Sequence, residues 1–138
     1  MEPVVDPDIL RRKTEHVLHH VARLRRRSVT APEALAADED QLNAVLMDIQ
    51  QAIQGCIDLA VHACADEALG APAGPGDAFE LLARAGRIDA RLAERLTGAA
   101  GLRNLIEHRY ADVDTGRILA VIRNDLGDLE AFLAAQRD

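Results

Sequence analysis

The chain has 138 residues and a formal net charge of −7, with 49% apolar but only 2% aromatic residues. That length suffices for one domain with a real core, without disulfide or metal staples. Scarce aromatics favour aliphatic packed helices over a sheet. The negative balance excludes a generic polyanion binder, and no apolar run approaches the roughly 20 residues of a membrane helix.

The first predicted helix runs from about Pro7 to Arg27. Asp6 supplies a capping acceptor and Pro7 occupies the first turn, where its missing N–H costs nothing. Leu10, Thr14, Val17, Val21 and Leu24 recur at steps of three and four, with Leu18 widening the stripe. The same segment holds Arg11, Arg12, Lys13, Arg23, Arg25, Arg26 and Arg27 against Glu15 alone, which reads either as a local phosphate-attracting strip or as a solvated face.

Ser28 to Asp38 is a connector in which Thr30 and Glu33 stand at capping-box spacing around Pro32. A long helix follows Asp38 and keeps its period through Leu42, Val45, Leu46, Ile49, Ile53, Cys56, Ile57, Ala60 and Cys64 until Gly70. Cys56 and Cys64 lie eight apart on it, about 12 Å along a helix, and cannot pair with each other. With no disulfide pattern and no signal-peptide pattern, the chain is expected in the cytoplasm.

Asp77 reads as the cap of a short helix, Ala78 to Ala85, stopped by Gly86. The next begins near Asp89 and carries Leu92, Leu96, Leu102 and Leu105 or Ile106, with Gly98 and Gly101 inviting a kink. A last helix is predicted from about Asp114 to Ala135 on the spacing of Ile118, Ile122, Leu126, Leu129, Phe132 and Leu133. The pattern describes a single all-α domain over residues 1–138, an antiparallel bundle of four to five helices with its core in about 6–135.

The end of the helix that begins near Asp89 and the turn into the last one hold GLRNLIEHRYADVD, with Arg103, Asn104, His108 and Tyr110 within eight positions. Histidine exchanges a proton near neutral pH, and the arginine fork matches phosphate oxygens. Asn104 and His108 are four apart and share a helical face, so the amide can orient the imidazole. Arg103 stands about 140 degrees from His108 but nearly in line with Tyr110, provided the helix continues that far. Glu107, four after Arg103, can pair with it.

Arg-x-x-x-x-His followed by x-Tyr resembles the HEPN-domain signature of the HepT toxins. IQQAIQGCIDLAVH, the Gly and Pro turn after it, FELLARAG, GLRN and DLGDLEAFL resemble that family in order and spacing, from Asp6 onward. The resemblance implies a homodimeric ribonuclease toxin whose two motifs meet in a cleft. Its partner would be a minimal nucleotidyltransferase antitoxin that silences it by transferring AMP to Tyr110. The implied catalytic residues are Arg103, Asn104 and His108, acting on RNA without metal or cofactor and leaving a 2',3'-cyclic phosphate. Glu107 departs from the family, where an aliphatic residue is commoner.

Two other readings fit the same residues: a noncatalytic nucleotide-binding subunit of a nucleotidyltransferase complex, and a structural helical dimerisation domain. His16 and His20 have metal-ligand spacing, but no carboxylate or thiolate completes a site nearby. His62 and Cys64 diverge on a helix. Asp112 and Asp114 read as a loop residue and a helix cap.

Overall fold

A computed structural model describes residues 6–137, in which every regular element is helical. The helices are α1 (Pro7–Arg25), α2 (Pro32–Ala37), α3 (Glu39–Asp66), α4 (Asp77–Arg84), α5 (Ala90–His108), α6 (Thr115–Asn124) and α7 (Leu126–Arg137), with a 3-10 turn at Tyr110–Asp112. Aspartates start four of them. The side chains of Asp6, Asp38, Asp89 and Asp114 accept from the N–H groups of Asp8, Gln41, Leu92 and Gly116 at 2.7 to 3.0 Å, satisfying donors that have no partner inside the helix.

The spine is α3, whose 28 residues span about 42 Å. Helix α1 lies antiparallel along it. Lys13 meets Asp58, His16 meets Gln51, and both His20 and Arg23 meet Asp48, so later residues of α1 reach earlier ones of α3. Gly55 permits this close approach: a Cβ there would lie 2.4 Å from Cγ2 of Val17. Asp48 is only 1% exposed and receives His20 Nδ1 at 2.7 Å and Arg23 Nε at 2.9 and 3.1 Å.

One aliphatic core draws on all seven helices, and the two phenylalanines, Phe79 of α4 and Phe132 of α7, meet edge to face in it. Helix α5 packs on α3, α4 and α7 and runs unbroken through Gly98 and Gly101, where the sequence predicts a kink.

Four local expectations are corrected. Helix α3 stops before Gly70 because Ala68 takes a left-handed φ of 56°, and Leu69 N–H then bonds back to the Cys64 carbonyl at 2.9 Å. The Thr30 capping box does not form, since Ala31 caps α2 without a side-chain bond. Likewise Gly76 caps α4, while Asp77 turns back to accept from Ala73 N–H at 3.0 Å. The single predicted last helix is two, broken at Asp125. Asn124, Asp125 and Gly127 are all poor helix formers, yet the apolar spacing continues across them, so periodicity alone conceals the break.

The basic segment of α1 is largely neutralised in place. Arg11 pairs with Asp8 and Glu15, Lys13 with Asp58, Arg23 with Asp48 and Arg25 with both oxygens of Glu130. Arg12, Arg26 and Arg27 remain without a carboxylate partner among the described residues, so the strip shrinks to the two arginines at the C-terminal end of α1 and to Arg12. Arg123 fixes the connector beside them, donating to the Ser28 and Thr30 carbonyls at 2.7 and 2.9 Å.

Candidate active site

Helix α5 ends at His108 because Arg109 leaves helical geometry, with φ −137° and ψ 51°, and donates its N–H to the Leu105 carbonyl at 2.8 Å. Leu102 and Ile106 anchor the inner face of this last stretch in the core. Their burial fixes the directions in which Arg103, Asn104, Glu107 and His108 leave the helix.

Glu107 bridges the motif. Its Oε1 receives Arg103 Nη2 at 3.1 Å and its Oε2 lies 3.3 Å from His108 Nε2. Helical geometry alone separates arginine and imidazole by about 140 degrees, and the carboxylate between them draws both toward one edge. The Arg103 side chain is 18% exposed and that of His108 65%, so the guanidinium lies along the helix while the imidazole stands in solvent. His108 therefore contacts Glu107, and not the Asn104 amide that its spacing favours; Asn104 projects into solvent.

The end of α5 also redirects Tyr110. The chain turns into the 3-10 segment Tyr110–Asp112, held by Arg109 Nε donating to Asp112 Oδ2 at 3.0 Å. The helical register that would return the phenol to the face of Arg103 therefore ends before Tyr110. The phenol is about half exposed, and its hydroxyl donates to Asn43 Oδ1 on α3. This contact brings the end of α5 against the start of α3, so α5 is antiparallel to α3. Asn43 has no sequence signal of its own, because a polar residue on an outward helical position reads as solvated.

The remaining candidates stay apart from this cluster. His16 faces Gln51, His20 is consumed by Asp48, and no group of three or more His, Cys, Asp or Glu is placed to hold a metal among the described residues. Cys64 donates to the Ala78 carbonyl at 3.5 Å, and burial pushes the Cys56 thiol up to about 12. Asp114 caps α6 as expected. Among the described residues no helix is long and apolar enough to cross a membrane.

An all-helical bundle with an arginine and a histidine on the last turns of one helix, and a tyrosine just beyond, defines a protein of the HEPN class. Residues 17–135 match the family model described as Ribonuclease HepT-like, and the chain belongs to that family. The mRNA nuclease HepT of Shewanella oneidensis is 32% identical over 91 residues, covering 66% of this chain and 68% of that one. The tri-AMPylated Shewanella oneidensis HEPN toxin in complex with MNT antitoxin superposes with a TM-score of 0.87 at 26% identity, covering 96% of this chain and 98% of that one. YutE, a cytosolic protein of unknown function from Bacillus subtilis, shares the fold at 16% identity and a TM-score of 0.83, covering 99% of this chain and 91% of that one.

Proposed function

We propose that the chain, folded as one helical domain, is a ribonuclease toxin. It acts as a homodimer, with the motifs of two copies facing one cleft, and is neutralised by a nucleotidyltransferase antitoxin that transfers AMP to Tyr110. The observation that carries this reading is the convergence of Arg103 and His108 on one carboxylate at the end of α5, with Tyr110 two residues beyond. Support for the partner comes from the AMPylated relative in complex with its MNT antitoxin.

Cleavage starts when a ribose 2'-hydroxyl attacks the adjacent phosphorus. His108 takes or returns a proton while Arg103 stabilises the charge that builds on the phosphoryl oxygens. The bond to the 5'-oxygen breaks, leaving a 2',3'-cyclic phosphate and a 5'-hydroxyl. Asn104, already solvent-facing, holds a phosphate oxygen or the imidazole once substrate is bound. An adduct on Tyr110 places bulk and negative charge beside this phosphate site and shuts it by occlusion and repulsion.

Induced expression without the antitoxin tests the reading. Growth arrest with RNA fragments ending in cyclic phosphate is expected, lost in His108→Ala by about 100-fold or more and lost also in Arg103→Ala. The Glu107 bridge favours one competing reading, a noncatalytic nucleotide-binding subunit of the nucleotidyltransferase complex, because it occupies both motif side chains. Tight nucleotide binding with no arrest selects that alternative.

A further inference from the structure

The bond between Tyr110 and Asn43 joins residues 67 positions apart, both on the protein surface. An exposed neutral hydrogen bond adds little to folding stability, so holding the fold together does not account for it. The chemistry of the amide does. A carboxamide carries an acceptor and, on the same plane, an NH2 group with two donors. Resting on the reading of Tyr110 as the nucleotide acceptor, the geometry points to Asn43 as the positioning residue for that modification. Its Oδ1 anchors the free phenol, and its Nδ2 donates to the phosphodiester once the adduct has formed.

In the transfer step the phenol oxygen attacks the α-phosphorus of a nucleoside triphosphate. The new O–P bond forms, the bond from that phosphorus to the oxygen bridging to the β-phosphate breaks, pyrophosphate leaves, and the phenolic proton passes to solvent or to a base of the transferase. Asn43 does not take the proton, since an amide is not basic. It holds the O–H toward α3, which leaves the lone pairs of the phenol oxygen facing outward to the incoming phosphorus. After the reaction that oxygen has no hydrogen to donate. Oδ1 and the adduct oxygens are then all acceptors, so the amide rotates to present Nδ2 to a phosphate oxygen that bears charge, a stronger pairing than the one lost. Aspartate would hold the free phenol equally well but would repel the charge that gathers on the phosphoryl group as it is transferred, and the adduct it leaves. An amide suits both states.

The chain has one tyrosine and no tryptophan, so a tyrosine ring signal reports Tyr110 alone. Wild type, Asn43→Ala, Asn43→Asp and Asn43→Gln would be incubated with the partner nucleotidyltransferase and ATP. Transfer is followed by intact mass and the unmodified ring by NMR. Asn43→Asp is expected to lower kcat about tenfold or more, with the KM for ATP unchanged and the ring signal at its wild-type position. Asn43→Ala should move the ring signal and slow transfer less than Asn43→Asp, and Asn43→Gln should recover part of the rate. Wild-type rates in both Asn43→Asp and Asn43→Ala would overturn the role of Asn43 while leaving Tyr110 as the acceptor. A wild-type chain that gains no mass at Tyr110 would overturn the parent reading, and this inference with it.

Discussion

Glu107 competes with substrate for both motif side chains, so Glu107→Gln should make the protein a better ribonuclease. Glutamine keeps the volume and nearly the helix propensity of glutamate but cannot hold a guanidinium as an ion pair. Two contacts are released: Arg103 at 3.1 Å, with the arginine 18% and the glutamate 42% exposed, and His108 at 3.3 Å, with the imidazole 65% exposed. Pairs this exposed contribute about 0 to 1 kcal/mol each, the Arg103 pair toward the upper end and the His108 pair toward zero. A total near 1 kcal/mol corresponds to about a fivefold gain in kcat/KM, because RNA no longer has to displace the carboxylate. Single-turnover cleavage of a short fluorescent RNA over a salt series provides the assay. The gain should fade as the screening length shortens to about 3 Å at 1 M salt. A tenfold loss of rate would refute the argument and make Glu107 the residue that orients the imidazole. An unchanged rate at every salt concentration would remove Glu107 from the site.

Three further outcomes follow from the packing. Gly55→Ala drives a methyl group to 2.4 Å from Val17 Cγ2, so α1 must shift; so close a contact puts the overpacking cost near the upper end of about 1 to 3 kcal/mol, above the roughly 1 kcal/mol gained in helix propensity, and an unchanged or raised urea midpoint would contradict the close approach. Thr14 Oγ1 is buried without a partner among the described residues, so Thr14→Val, which keeps the shape, should raise stability by about 1 kcal/mol in the same assay. Burial raises the Cys56 thiol from 9.0 to about 12 and raises Cys64 as well, so neither should react with a disulfide reagent at neutral pH until the chain is unfolded in urea. The unfolded thiol ionises first, so the contribution of Cys56 is intact below 9.0 and falls away as pH rises toward 12, by up to about 1.4 kcal/mol per unit.

Much of the fold is legible in the sequence where local chemistry decides it. The aspartate caps at positions 6, 38, 89 and 114 and the unbroken period of α3 follow from interactions within a few residues. Reading fails where one residue has two local options of similar cost. Ala68 adopts a conformation usually left to glycine, and Asp77 serves the preceding turn instead of its own helix. At the site, the residue types in the motif are visible and their pairings are not. Helical spacing favours Asn104 with His108 and Arg103 with Tyr110. The end of α5 and the reach of Glu107 instead give His108 with Glu107 and Tyr110 with Asn43.

The buried Asp48 has a consequence for how the two ends of the bundle are aligned. Its partners His20 and Arg23 both come from α1, and sliding that helix by one residue, about 1.5 Å, would strand a carboxylate in the core. The trio acts as a length gauge between α1 and α3. It sets where Arg26 and Arg27, which have no carboxylate partner among the described residues, stand relative to the helix that carries Asn43. Drift at position 48 is therefore constrained by position 23: a chain that lost the aspartate would be left with an arginine without its counter-charge, so the two should be exchanged together or not at all.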